Sequence, residues 1–144
     1  MTARDFIQTA LQAGFTMAHM PMVLSIGMWE SKLNPQAVGD VNLINDTWGP
    51  SIGLMQIRTI KTPNANEHFR STARIEALKN PFENLKAAYI ISKGGTTWQP
   101  WTAYSAGHYK TTYSTALQAV AQYAPTPTGI ATAVMVGVIL STII

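Results

Sequence analysis

Helix-stopping residues cut this chain into runs of helical length, and that punctuation constrains its fold more than any other feature. Gly14, Pro21, Asn34-Pro35, Asn80-Pro81, Gly94-Gly95 and Pro125-Thr126-Pro127 are the breaks. Thr2 with Asp5 three residues on reads as a cap, and Phe6, Ile7, Ala10 and Leu11 form a helical stripe that ends at Gly14. Pro21 suits the first turn of a second helix over 22–33, which Asn34-Pro35 stops. Residues 35–50 carry Pro, Gly, Asn and Asp and read as a loop, and 53–60 as a short buried segment. Asn80 caps a helix that runs to Ser92. A short helix or turn over 101–107 and a last helix over 111–123 follow. Period-2 runs are scarce, so the expected class is mainly α.

The 144 residues suit one domain, read here as residues 1–124. With 47% hydrophobic and 12% charged residues the chain has material for a core and is not a disordered, solvating segment. The absence of cysteine excludes disulfides, thiolate nucleophiles and cysteine zinc sites. The net charge of +3 comes from scattered cations without a basic stripe, so nucleic acid is not an expected partner. No charged side chain follows Lys110, and beyond the Pro125-Thr126-Pro127 break the chain is rich in Ile and Val. Residues 125–144 are therefore expected to be a hydrophobic appendage that meets a membrane, the domain itself or a partner protein.

Chemistry is sought among the seven side-chain carboxylates. Asp5 suits a helix first turn. Glu67 has Arg70, Glu76 has Lys79 and Glu83 has Lys86 three residues on, all ordinary surface pairs. Asp40 and Asp46 suit turns. Glu30 differs, because its helical neighbours are Val23, Ile26, Gly27 and Leu33, and Trp29 precedes it. Burial and the negative end of a helix both disfavour the anion, so its pKa should rise. A carboxyl that keeps its proton near neutral pH is what a general acid requires. The bland alternative is a buried Glu paired with a cation.

Rival constellations are weaker. Gly49-Pro50-Ser51-Ile52-Gly53 fits the G-x-S-x-G pattern of serine hydrolases, but no buried strand is evident before it. Ser51 reads better as a helix N-cap ahead of Ile52-Gly53-Leu54. His19, His68 and His108 are too dispersed for a zinc motif. Trp48, Trp98, Trp101, Tyr104 and Tyr109 crowd into two regions that suit either a sugar groove or a core.

Three blocks in order resemble the soluble-type, goose-lysozyme-like lytic transglycosylase domain. They are Trp29-Glu30-Ser31-Lys32-Leu33-Asn34-Pro35-Gln36-Ala37, then Gly53-Leu54-Met55-Gln56-Ile57, then Ala87-Ala88-Tyr89-Ile90-Ile91-Ser92 with Ala103-Tyr104-Ser105-Ala106-Gly107. Together they reach over about 6–109. The resemblance implies a small, mainly helical lysozyme-like fold with a groove for peptidoglycan glycan strands. It implies Glu30 as the sole catalytic carboxyl, Met55 and Gln56 shaping the groove, and Tyr104 hydrogen-bonding near Glu30. On a looser match it extends to Ser51 and Tyr89 as substrate-binding residues. No metal or cofactor is implied.

Two departures bear on the chemistry. Ser105 stands where the family's third block carries Asn. The segment between Ala37 and Gly53 is long, carries Asp40, Asp46 and Trp48 and suits the rim of a groove; its 46–51 stretch, Asp-x-Trp-Gly-Pro-Ser, resembles phage-encoded relatives. Asp46 there could position a water, as the second carboxylate does in inverting hydrolases. The resemblance therefore implies a lytic transglycosylase that cleaves the β-1,4 bond between N-acetylmuramic acid and N-acetylglucosamine with closure of a 1,6-anhydro ring; a water-using muramidase is the alternative of the same class. A wall-binding virion protein that keeps only the fold is the alternative from another class. No secretory signal opens the chain, so the expected setting is a virion or a phage lysin at the host wall.

Overall fold

The computed structural model describes residues 1–123; the apolar appendage expected over 125–144 lies outside the described residues. Helix α1 (Ala3–Ala13) begins where the Thr2 hydroxyl accepts the Asp5 N–H at 3.1 Å, and ends at Gly14 with φ 123°. Its stripe of Phe6, Ile7, Ala10 and Ala13 is buried. Helix α2 (Met20–Ser31) carries Pro21 in its first turn, as expected. It stops two residues earlier than the Asn34-Pro35 break predicts, because Lys32 and Leu33 adopt left-handed φ of 53° and 59°. Its interior is apolar on almost all sides, with Val23, Leu24 and Ile26 fully buried.

The segment read as loop contains two strands. β1 (Val38–Gly39), β2 (Trp48–Ile52) and β3 (Ile57–Ile60) form an antiparallel sheet in that order, with Gly39 opposite Ser51 and Ser51 opposite Arg58. Pro50 cannot donate to a ladder, and the register shifts between Trp48 and Ser51, where it lies. Short, irregular strands leave no period-2 signature, which explains why the sequence hides them.

Short 3₁₀ turns lead through α3 (Ile75–Leu78) to α4 (Pro81–Ile91). The Asn80 side chain caps α4 by accepting from Phe82 and Glu83 N–H at 2.9 and 3.1 Å. Then come α5 (Thr102–Ser105) and α6 (Lys110–Gln122). α6 packs along α2 and α1 along α4, so α2 lies in the middle of the helical part. Glu67 and Glu76 pair with Arg70 and Lys79 as expected, but Glu83 pairs with Arg74 at 2.8 Å rather than with Lys86. None of the described helices is long and apolar enough to cross a membrane.

One buried side chain fastens the sheet turn to the helices. Asn84 of α4 donates to the Ile52 and Leu78 carbonyls at 2.7 and 2.9 Å and accepts the Met55 N–H at 2.8 Å. All three of its polar contacts lie in a dry interior, where an unmet group is costly. The fit requires Gly53: a Cβ there would stand 2.3 Å from Asn84 Nδ2, and its φ is 77°.

Candidate active site

Glu30 is the penultimate residue of α2 and half-buried, so its carboxyl emerges where the helix meets the sheet. It opens on a cleft of about 460 Å³ whose walls include Asp40, Trp48, Ser51, Gln56, Arg58 and Trp101. Burial raises the Glu30 pKa above the usual carboxyl range. The Ala103 backbone N–H, at the start of α5, pulls it back down, and the negative charge of Asp40 pushes it up again. The net direction is upward, the direction the sequence predicts, with Asp40 as a second cause that sequence reasoning did not name. Both effects favour a proton held for delivery rather than lost to solvent.

The sheet wall is tied together by side chains of the central motif. Gln56 has a left-handed φ of 49°, and its amide donates to the Ala37 and Gly53 carbonyls at 3.2 and 3.0 Å. The Gly53 N–H donates to the same Ala37 carbonyl at 2.7 Å. Gly39 lies so close to Gln56 that a Cβ there would meet its Oε1 at 2.2 Å. These contacts fix residues 37–39, and with them Asp40, against the turn after β2. The Ser51 hydroxyl donates to the Asp40 carboxylate. Ser51 is therefore a strand residue that holds a carboxylate, neither a helix cap nor the serine of a nucleophile elbow.

Aromatic and cationic groups complete the walls. Two guanidinium groups approach the Trp48 ring, those of Arg58 and Arg70, at 5.5 and 5.6 Å from its centre. Arg58 is anchored by the Gly49 and Leu43 carbonyls, each at 2.7 Å. Trp101 is buried, and its indole N–H donates to the Met55 carbonyl at 2.7 Å.

The structure thus gathers Glu30, Ser51 and Gln56 on one cleft. The Met55 side chain is fully buried, and only its backbone serves the site, by joining Trp101 to Asn84. Tyr89 packs edge-on against Phe15 at 5.2 Å, over Gly14 and away from the cleft walls. Tyr104 stacks on Tyr109 at 5.3 Å and is not among the cleft-lining residues, and no described residue hydrogen-bonds its hydroxyl. Asp46 is exposed and outside the cleft; Asp40 is the carboxylate that lines it. Arg58, Arg70 and Asn84 have no local sequence signal that marks them, since their roles depend on contacts made in the fold.

The model of the lysozyme-like domain family matches residues 7–103, about two thirds of the chain. The chain belongs to the lysozyme-like domain family. Nothing among curated proteins or solved structures matches it. The match takes in α1 from Ile7 on, α2, the sheet and the start of α5, so every cleft-lining residue named above lies within it. Membership of the lysozyme-like domain family supports, at the level of the family, an enzyme that acts on the glycosidic bonds of peptidoglycan.

Proposed function

We propose that this lysozyme-like domain is a lytic transglycosylase that cleaves the β-1,4 bond between N-acetylmuramic acid and N-acetylglucosamine. The observation that carries the reading is a half-buried carboxyl with a raised pKa, open to a cleft whose walls include Trp48 and Trp101. Aromatic faces suit sugar rings. Glu30 donates its proton to the glycosidic oxygen as the C1–O bond breaks, and the acetylglucosamine leaves with that proton on O4. The cationic character at C1 is met by the substrate's own acetamido oxygen. The muramyl C6 hydroxyl then bonds to C1, and its proton returns to the Glu30 carboxylate. Acid and base tasks follow one another, so one residue performs both and no water is consumed.

A second reading has one observation in its favour. Asp40 shares the cleft with Glu30, and a carboxylate so placed could activate a water in an inverting hydrolysis. Mass spectrometry of digested peptidoglycan separates the two. The transglycosylase reading expects 1,6-anhydromuramyl ends; reducing muramyl ends would establish the water-using muramidase. A wall-binding virion protein without activity would release neither. The setting we propose is a bacteriophage particle or lysin acting at the host wall, on the likeness of the 46–51 stretch to phage-encoded relatives. The appendage over 125–144 would then contact a membrane or a virion protein.

A further inference from the structure

A second hollow, of about 310 Å³, adjoins the catalytic cleft and shares Arg70 and Pro100 with it. Its chemistry is different. Phe69, Ile90, Ile91 and Pro100 give it apolar walls, and Asn66 and the Glu67–Arg70 ion pair give it polar ones. Trp48, the partly exposed ring suited to a sugar face, stays on the cleft side. Apolar patches beside an amide, a carboxylate and a guanidinium suit a short peptide better than a pyranose.

Arg70 is the hinge between the two spaces. Its side chain is 18% exposed, and one Nη2 bond goes to Glu67. Its Nε is unpaired among the described residues but buried, so the donors left for a ligand are those of the outer guanidinium nitrogens. A guanidinium offers five N–H donors, so Arg70 retains capacity for an incoming carboxylate or carbonyl. Pro100 lies three residues before Ala103, whose N–H faces Glu30. At full extension that is at most about 11 Å of chain, within reach of a substituent on a sugar at the scissile bond.

We propose that this hollow holds the stem peptide carried by the muramyl residue in the cleft, with a peptide carboxylate or carbonyl on Arg70 and side-chain methyl groups against Ile90 and Phe69. The proposal rests on the peptidoglycan reading above and narrows its substrate to glycan strands that still carry peptides.

The test compares initial rates on purified glycan strands bearing intact stems with the same strands stripped by an amidase. The native protein should show kcat/KM about tenfold higher on the stem-bearing strands, the scale of one well-made polar contact plus apolar burial. Ile90 is 47% exposed and outside the catalytic cleft, so Ile90→Glu places a carboxylate in the hollow with little cost to folding. It should erase most of that preference and leave the rate on stripped strands unchanged. Asn66→Trp, which fills the hollow from an exposed position, should do the same if the first variant melts early. Equal or lower native rates on stem-bearing strands would overturn the proposal, as would variants that slow both substrates alike or neither. Absence of cleavage of both strands by the native protein would instead sink the enzymatic reading, and this inference with it.

Discussion

The negative charge of Asp40 makes Glu30 hold its proton more tightly, and a hydroxyl of the neighbouring strand, Ser51, fixes Asp40 in place. A helix end and a sheet edge, brought together by the fold, therefore set the protonation of one carboxyl.

Asp40→Asn should shift the pH profile of activity. The active form of a general acid is protonated, so activity falls as pH rises through the Glu30 pKa. Asp40 raises that pKa. Its removal should move the alkaline limb of kcat/KM toward lower pH, while burial keeps the limb above that of an ordinary carboxyl. Ser51→Ala, which frees Asp40, should move it less and in the same direction. An alkaline limb unmoved in Asp40→Asn would show that the charge does not act on the catalytic group. Loss of all turnover in Asp40→Asn, together with reducing ends from the native enzyme, would favour the water-using mechanism.

Asn84→Ala should destabilise the domain by about 2–4 kcal/mol, because it leaves a buried N–H and two buried carbonyls unmet. The measurement is a denaturant or thermal melt. The Met55 carbonyl that orients Trp101 belongs to the same turn, so residual folded protein should also cut more slowly. A melt within error of the native one would mean that Asn84 is not the fastener described.

Trp48→Ala should raise KM for glycan strands with little change in kcat, since a ring that supports the sugar acts on ground state and transition state alike. The expected loss is about 1 kcal/mol, roughly fivefold in KM. Trp48→Phe should recover part of it. A fall in kcat at constant KM would place Trp48 in the chemical step instead.

The helices were legible because their ends are written in side chains. Thr2, Gly14, Pro21 and Asn80 each do locally what their chemistry dictates. Glu30 was legible for a related reason: a lone carboxylate on an apolar helix has to be explained. The sheet was not, because β1 is two residues long and β2 is broken at Pro50. Asp40 passed for a turn residue, which its φ of 55° also makes it, and contacts distant in sequence carry it to the cleft: the pairing of Gly39 with Ser51, the bonds of Gln56 and Gly53 to Ala37, and the Ser51 hydroxyl. The motif residues Met55 and Tyr89 mark the fold rather than the cleft surface: one is core, the other packs on Phe15 and Gly14. Arg58 and Arg70 are brought onto Trp48 by the chain's path, which no local spacing encodes.

The most direct test of the account is the rate of peptidoglycan cleavage by Glu30→Gln beside its stability across pH. Gln keeps the shape and removes the proton. Turnover should fall by at least about a thousandfold. The folded Glu30 pKa lies above the unfolded one, so this group's contribution to stability is full at acid pH and is lost as pH rises through the folded value. The variant should therefore melt with the native protein at low pH and above it at neutral pH. Turnover within tenfold of native, from a variant that folds, would contradict the assignment of Glu30 as the proton donor.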